Sequence, residues 1–272
     1  MIRSLWTAAT GMNAQQTNVD TIANNLANVN TVGYKTEQAQ FKSLLYQTLQ
    51  TKTTSANGET KPSTAQVGLG VREAAITSIF KNGSMTASES DTSFAIQGDG
   101  FFAIQGSDGT TKYTRNGDFM WALNNGGGVS LTTSDGERVL NSAGRPITLS
   151  NAYVANRIEI TSNGTLTYPD ANNNMQSLGI TIGLYQFNNP GGLEKVGNTM
   201  FEATAASGVA INEATSNAVA RSSIASGYLE ASNVQVADEM VNLIVAQRAY
   251  ELNSKAITTS DEMMQQANEL KR

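Results

Sequence analysis

Carboxylates, serines and glycine-rich turns are the features of this sequence that could carry chemistry, because it contains neither cysteine nor histidine. That absence removes disulfides, thiolate metal ligands and the commonest general base. Asp118, Asp135 and Glu137 could be imagined as a carboxylate pair or a calcium site, but each lies in a turn-like stretch near glycine or asparagine. Aspartate is common in such turns for local hydrogen bonding. The sequence therefore favours solvated turns over a catalytic or metal site.

Two groups of glycines invite comparison with phosphate-binding loops. Gly98, Gly100 and Gly106 match neither G-x-G-x-x-G nor a loop ending in Gly-Lys-Ser or Gly-Lys-Thr. Gly68 and Gly70 are not followed by a helical pattern. We predict hairpin turns at both places. The serines and threonines have no histidine to activate them, and a Ser-Lys pair stays open as an alternative. The residues thus predict no catalytic group, no cofactor and no metal.

The overall composition argues against two further classes of protein. The chain has 272 residues, a net charge of −5 and only 15% charged residues, so a basic face for nucleic acid is not expected. No run of 18 or more apolar residues is present, which predicts no membrane insertion. The stretch before Gln15 lacks the apolar core of a cleaved secretion signal. The residues alone predict a cytosolic protein, unless another export route is used.

The N-terminal segment carries a helical pattern that could position a binding surface. Apolar residues recur there at alternating three- and four-residue steps over about three heptads, namely Ile2, Leu5, Ala9, Met12, Val19, Ala23 and Leu26. This pattern predicts an amphipathic helix within residues 1–32 that ends near Asn30. Gly33 then lies where a left-handed C-terminal cap is expected.

The C-terminal segment carries a longer helical pattern. Apolar residues recur at intervals of seven, with two more that widen the stripe, namely Val236, Leu243, Tyr250, Ile257 and Met264, with Met240 and Ile244. We predict a helix over residues 233–270 and assign the whole of residues 221–272 to this C-terminal helix region. Ser232 and Gln235 form a plausible capping box at its start.

Between the helices the pattern changes to short apolar runs broken by glycine, asparagine and aspartate. Residues 76–220 are predicted to form a β domain, in which Asn163-Gly164 is typical of a two-residue hairpin turn. Residues 33–75 are predicted to be an extended linker with a polar insertion at residues 47–66. The predicted fold class is α+β, with long N- and C-terminal helices forming an antiparallel coiled-coil stalk and a mainly-β domain inserted between them.

The two helices are expected to need partners beyond each other. Away from its main stripe each helix is largely polar, as at Gln16 on the first and at Gln247, Ser254, Asp261 and Asn268 on the second. Such a pair buries too little apolar area to offset ordering its backbone, which costs about 1–2 kcal/mol per residue. We therefore interpret the stripes as surfaces for packing between molecules.

Three parts of the sequence resemble the bacterial flagellar rod, hook and hook-associated family of axial proteins. The N-terminal part, residues 4–49, contains ANNLANVNTVGYK at residues 23–35, which is similar to the family's A-N-N-L-A-N-x-x-T-x-G-[FY]-K core. The segments AIQGDGFFAIQ and YTRNGDF resemble its β-domain motifs. Residues 227–264, which begin GYLEASNVQVADEM, resemble its C-terminal helix. The resemblance covers nearly the whole chain.

The resemblance implies a structural subunit, not an enzyme, that polymerises helically through its terminal helices into a rigid drive shaft. The stretch AQQTNVD and the polar insertion resemble rod members, and those of the distal rod most, with a proximal rod or other hook-basal-body axial protein as the alternative. The implied partners are further copies of the chain, other rod and hook proteins, the ring proteins around the rod and the flagellar type III export apparatus. The implied location is the periplasm-spanning rod of the basal body, reached without a cleaved signal peptide.

Four asparagines at residues 24, 25, 28 and 30 are interpreted as part of the assembly surface. They lie off the apolar stripe, and an uncharged amide can hydrogen-bond a neighbouring subunit without burying an ion. The full predicted assembly interface consists of Ile2, Leu5, Met12, Val19, Asn24, Asn25, Leu26, Asn28, Gly33, Tyr34, Val236, Met240, Leu243, Ile244, Tyr250, Ile257 and Met264.

Two hypotheses from other classes remain open at this point. One is a binding or adhesin module, in which the β domain recognises a partner and the helices only trimerise. The other is a hydrolase on the β domain. The hydrolase lacks a candidate acid or base pair in the sequence, and the adhesin predicts a monodisperse trimer with no tendency to form long tubes.

Overall fold

The chain folds into two compact units. The computed structural model describes residues 2–50, 65–124, 127–151, 153–170, 174–216 and 219–270. One unit, here the helical unit, is built from residues 1–27, 37–78 and 235–272, and the other, the β unit, from residues 28–36 and 79–234. The chain therefore passes between the units after residues 27, 36, 78 and 234. The β unit is inserted into the helical unit in two pieces.

The helical unit pairs the two ends of the chain. Its elements are α1 Ile2–Ala27, β1 Glu37–Ser43, β2 Tyr46–Gln50, β3 Ala65–Gly68, β4 Val71–Ser78 and α2 Val236–Glu269. Ser4 Oγ lies 3.3 Å from Ser260 Oγ, while Asn25 Nδ2 near the other end of α1 lies 3.3 Å from Glu239 Oε2. The helices are thus antiparallel neighbours. One N-terminal helix, a central mostly-β region and one C-terminal helix confirm the α+β class.

Both helices differ from the sequence prediction at their ends. α1 ends at Ala27, three residues before Asn30, and Gly33 is therefore not its capping residue. α2 begins at Val236, and its N-cap residue Gln235 makes no side-chain capping bond, so the predicted capping box is wrong. Acidic residues in the first turn of α2 provide favourable interactions with the helix dipole instead. Neither described helix has the length and apolar character needed to cross a membrane.

The predicted linker forms strands. β1 pairs with β4 in an antiparallel ribbon whose register shifts by one residue between Gln40 and Phe41, and β2 pairs with β3. Alternating polar and apolar residues in Glu37–Ser43 explain why this stretch becomes a strand. The polar insertion predicted at residues 47–66 thus begins and ends in a β ribbon, while its residues 51–64 lie outside the described residues.

The β unit contains the remaining strands. They are β5 Met85–Ala87, β6 Phe94–Gln97, β7 Phe101–Gln105, β8 Thr111–Thr114, β9 Phe119–Leu123, β10 Val129–Thr133, β11 Arg138–Val139, β12 Thr148–Leu149, β13 Glu159–Ile160, β14 Thr165–Pro169, β15 Met175–Thr181, β16 Leu184–Gln186, β17 Glu194–Gly197, β18 Met200–Glu202, β19 Ile211–Asn212, β20 Ser223–Ser226 and β21 Tyr228–Glu230. The last two strands lie in the region that was assigned to the C-terminal helix. That assignment is wrong before residue 235.

The core of the β unit lies on both faces of β7. The largest sheet runs in the order β12-β10-β11-β7-β8-β18-β17, with β16 also paired to β7. Phe102 and Ile104 pack into one apolar cluster with Phe94 and Leu131, whereas Phe101 and Ala103 pack into a second one on the other face. Because successive strand residues point to opposite faces, the unbroken apolar run at residues 101–104 is a strand buried on both sides.

The predicted hairpins are confirmed in part. β13 and β14 pair as expected, but Thr161 and Thr165 close the turn, which leaves a three-residue loop ending in Gly164 at φ +76°. Gly106 opens the β7–β8 hairpin. Gly98, in contrast, links β6 and β7, which do not pair, because β6 pairs with β20. The hairpin prediction is wrong there, since pairing with a distant strand replaced the local one.

Candidate assembly site

The side of α2 that faces α1 is lined by small and polar residues. Glu239, Ala246, Asn253 and Ser260 recur every seven residues, and this inner line contacts α1. A Cβ atom added to Gly11 of α1 would lie 2.9 Å from Asn253 Nδ2. The small side chains therefore let the two helices approach closely, and the helix pair buries little apolar surface along this line.

The predicted apolar stripe of α2 lies beside the inner line rather than on it. Leu243, Ile257 and Met264 are half-buried, while Val236 and Tyr250 are exposed. The stripe begins at Val236 and the inner line at Glu239, three residues later, and both repeat every seven residues. The two therefore run side by side along the helix surface. The stripe is therefore only partly used by contacts within the chain.

A strongly apolar patch lies on the opposite side of α2 from the inner line. Met240, Val241, Ile244 and Val245 are 52%, 59%, 57% and 62% exposed, and we call these four residues the outward patch. Met240 and Ile244, and likewise Val241 and Val245, are four positions apart, so the patch consists of two adjacent rows on the side of the helix away from the inner line. The sequence prediction includes Met240 and Ile244 but not the two valines, which only their exposure in the structure adds to the patch.

The predicted residues of α1 are mostly half-buried. Leu5, Met12, Val19 and Leu26 have this intermediate exposure, and the side chain of Ile2 lies outside what the structure describes. Ala8, Ala14 and Ile22 are the buried apolar residues of the helix. Trp6 is 69% exposed and adds a large apolar side chain to the surface that the sequence pattern did not single out.

Asn25 does not lie on an outer surface, which corrects the premise on which it was assigned to the assembly interface. Its side chain is only 1% exposed. Asn25 Oδ1 accepts a hydrogen bond from Glu37 N, and Asn25 Nδ2 donates to Glu37 O, each at 2.8 Å. Asn25 Nδ2 also donates to Glu239 Oε2 at 3.3 Å. The amide thus fastens the start of β1 to both helices within one molecule.

The other asparagines of the stretch are more accessible. Asn24 and Asn30 are exposed, and Asn28 is half-buried, where its Oδ1 accepts a hydrogen bond from Thr31 Oγ1 at 3.0 Å. Asparagine at residue 28 therefore shapes the turn that follows α1, as short polar side chains commonly do. The assignment of Asn24 and Asn28 to an assembly interface remains a prediction.

Gly33 occupies a position that only glycine fits. Its φ is +70°, and an added Cβ would lie 2.6 Å from Asn116 N and 2.7 Å from Arg115 C. Both neighbours are backbone atoms, which cannot rotate away as a side chain could. The next residue, Tyr34, is half-buried and donates its backbone N–H to Thr31 O. The predicted residues Gly33 and Tyr34 thus form part of a close contact inside the β unit.

A buried group of charges follows directly after Gly33 and was missed by sequence analysis. Lys35, Arg115 and Glu230 are 2%, 1% and 1% exposed, and we call them the ion cluster. Lys35 Nζ lies 2.6 Å from Glu230 Oε1, and Arg115 Nη1 lies 3.3 Å from Glu230 Oε2. The Arg115 guanidinium also stacks over the Phe101 ring at 5.2 Å. These contacts join three distant parts of the sequence.

The ion cluster holds two cations and one carboxylate. Burial lowers the pKa of Lys35, while the Glu230 carboxylate raises it and the Arg115 charge lowers it further. Burial likewise lowers the pKa of Arg115, against the attraction of Glu230 and, through space, of Asp99 and Glu213. Glu230 is therefore the group that makes burial of both cations tolerable.

The acidic residues considered for chemistry are not gathered into a site. Asp135 Oδ2 accepts a hydrogen bond from Asn198 Nδ2 at 2.8 Å, and Glu137 Oε1 lies 3.6 Å from Lys112 Nζ. Asp118 takes part in a turn in which its backbone N–H donates to Asn116 Oδ1. Within the described part of the chain, no three histidine, cysteine, aspartate or glutamate side chains could hold one metal ion.

Three protein-family descriptions match segments of the chain. They are "Flagella basal body rod protein" at residues 5–35, "Flagellar hook protein FlgE/F/G D1 domain" at residues 95–168 and "Flagellar basal body rod FlgEFG protein C-terminal" at residues 225–270. Each member of the ion cluster lies in a different one of these segments. One residue from each matched segment thus meets the others in the β unit.

Curated relatives extend over the whole chain. "Flagellar basal-body rod protein FlgG" of Borreliella burgdorferi is 46% identical over 274 aligned residues, which cover 100% of both chains. The proteins with the same description from Agrobacterium fabrum and Caulobacter vibrioides are each 40% identical. Their alignments cover 96% and 99% of this chain and 97% and 100% of the relatives.

Proposed function

The chain belongs to the family of flagellar basal-body rod proteins and is a structural subunit of the distal rod, and we propose that it polymerises helically through its terminal helices into a rigid drive shaft. In this proposal the rod transmits torque to the hook. Similarity over the full length to rod proteins favours this function over the trimeric binding module. It also favours a structural role over an enzymatic one.

The outward patch is the observation that carries the proposal. Four large apolar side chains on the side of α2 away from the inner line are more than half exposed in the single molecule, although burying such side chains is worth about 1.5–3 kcal/mol each. The inner line against α1 is small and polar, so the helix pair leaves its more apolar face for other helices. We propose that copies of α1 and α2 from neighbouring subunits cover this face in coiled-coil packing.

The location and the remaining partners follow from the same proposal. The rod crosses the periplasm, contacts other rod and hook proteins along its axis and turns inside the ring proteins. Its subunits reach this place through the flagellar type III export apparatus without a cleaved signal peptide. The family membership and the absence of thiols, which suits an oxidising compartment, support these assignments.

Ile244→Lys tests the outward patch. We expect the variant to keep the fold of the single molecule, because the side chain is 57% exposed, and to lose rod assembly, because a buried lysine without a partner is strongly unfavourable. The measurements are circular dichroism of the monomer, tube formation by electron microscopy and swimming of cells that carry the variant. We expect the concentration needed for assembly to rise by at least about tenfold.

Asn242→Lys is the matched control, since it adds the same charge at an exposed polar position of the same helix that points away from the outward patch. It should assemble as the unaltered chain does. Normal tube formation and swimming by Ile244→Lys would show that the outward patch is not an assembly surface.

A further inference from the structure

We propose that the ion cluster is a latch that makes two segments of the β unit dock or detach together. The segments are residues 33–36, which lie just before the chain passes to β1, and residues 230–233, which lie just before α2. This inference concerns the single subunit and goes beyond the proposed role in assembly.

Glu230 is the centre of the latch. Its Oε1 accepts hydrogen bonds from Lys35 Nζ at 2.6 Å and from Gly83 N at 2.9 Å, and its Oε2 accepts from Arg115 Nη1 at 3.3 Å. Its backbone oxygen accepts a fourth bond from Gly33 N at 2.8 Å. One residue of the C-terminal segment therefore bonds twice to the N-terminal segment.

Asn233 fastens the same two segments a second time. Its Oδ1 accepts hydrogen bonds from Thr36 N and Thr36 Oγ1, both at 2.7 Å. Its Nδ2 donates to Ile79 O at 2.9 Å and to Lys81 O at 3.2 Å, and Lys35 Nζ also donates to Lys81 O at 2.8 Å. The stretch after residue 78 thus joins the latch, so that three chain segments share one set of bonds.

The charges make the docking cooperative. If residues 230–233 detach, Lys35 and Arg115 remain as two like charges in the interior, because Glu230 is the carboxylate that both contact directly. If residues 33–36 detach, Glu230 loses the Lys35 ammonium and the Gly33 N–H together. A buried charge or polar group left without its partner is unfavourable. Neither segment therefore stays docked without the other.

The imbalance of charge predicts which member of the ion cluster is indispensable. Lys35→Met leaves one cation and one carboxylate and keeps a long apolar side chain in the same space. Glu230→Gln leaves two cations without the carboxylate that both contact, and Asp99 and Glu213 act on Arg115 only through space. The latch therefore requires that Glu230→Gln release both segments and that Lys35→Met release neither, although each variant breaks the same salt bridge.

Hydrogen exchange of the full-length monomer, resolved by mass spectrometry, tests the latch. In Glu230→Gln we expect exchange in residues 33–36 and in residues 230–233 to accelerate together by about 10- to 100-fold, while β7 in the core keeps its protection. Lys35→Met should exchange as the unaltered chain does. In the Lys35→Met background, Glu230→Gln should accelerate exchange less, since only one cation is then stranded.

A third variant keeps the test informative if Glu230→Gln does not fold. Asn233→Ala removes the second fastening without altering the charges, and it should accelerate exchange in both segments in parallel. Acceleration in one segment while the other keeps its protection would overturn the latch. So would a loss of protection in Lys35→Met as large as that in Glu230→Gln.

Discussion

Gly33→Ala is expected to destabilise the β unit by about 2–5 kcal/mol. A left-handed backbone costs a residue with a Cβ about 1–2 kcal/mol, and forcing an atom into a packed interior costs about 1–3 kcal/mol more. Both terms apply here, because φ is +70° and the new Cβ would meet Asn116 N at 2.6 Å. The atoms that the new Cβ would meet belong to the backbone of Arg115 and Asn116. The clash could therefore be relieved only by moving the chain segment that holds Arg115 in the ion cluster.

Tryptophan fluorescence during urea unfolding can measure this loss for the β unit alone. The chain has two tryptophans, Trp6 in α1 and Trp121 in β9. A Trp6→Phe background leaves Trp121, which packs against the core of the β unit, as the only reporter. Gly33→Ala should lower the urea midpoint clearly in that background, with little change in slope.

Gly144→Ala separates the two contributions. Its φ is +73°, close to that of Gly33, but no atom lies within 4 Å of an added Cβ. It should therefore show only the conformational cost of about 1–2 kcal/mol. Equal losses in the two variants would mean that the close approach at Asn116 contributes nothing to the requirement for glycine.

Asn25→Ala is expected to destabilise the helical unit by about 2–4 kcal/mol. The substitution leaves the backbone N–H and C=O of Glu37 without the amide that bonds both, and it removes a donor from the buried Glu239 carboxylate. A fully buried group that loses its partner costs about 1–3 kcal/mol, and the total stays below the sum of three such costs because Glu37 is only half-buried and can bond water in part. The higher helix propensity of alanine recovers only a few tenths of this.

Far-UV circular dichroism on heating follows this unit, since both helices belong to it. Asn13→Ala is the matched control, because it makes the same exchange at an exposed position of the same helix. It should leave the melting temperature unchanged or raise it slightly. If Asn25→Ala melted like Asn13→Ala and failed only in assembly, the amide would serve neighbouring subunits after all.

The local pattern of the sequence was sufficient for the main elements. Apolar residues at three-, four- and seven-residue steps placed both helices to within a few residues, and short apolar runs broken by glycine, asparagine and aspartate placed the β region, because these signals arise from neighbours along the chain. Details that depend on distant residues were wrong. The predicted capping box at Ser232 is absent because α2 begins only at Val236, and Asn233 before it bonds Ile79 O in the β unit. The predicted hairpin at Gly98 is absent because β6 pairs with β20.

Tertiary structure alone decided the roles of individual side chains. Asn25 and Lys35 stand in one recognisable motif, yet the partners that explain them, Glu239 and Glu230, lie near the other end of the chain. The spacing of residues along a helix shows which side chains share a face, but not which face packs against the other helix. The sequence pattern therefore did not distinguish the inner line from the outward patch. The sequence by itself determined two terminal helices, a β centre and the family. The fold decided that Asn25 fastens the helical unit internally and that Lys35 is paired in the β unit, because hydrogen bonding and charge pairing between residues about 200 positions apart leave no local trace.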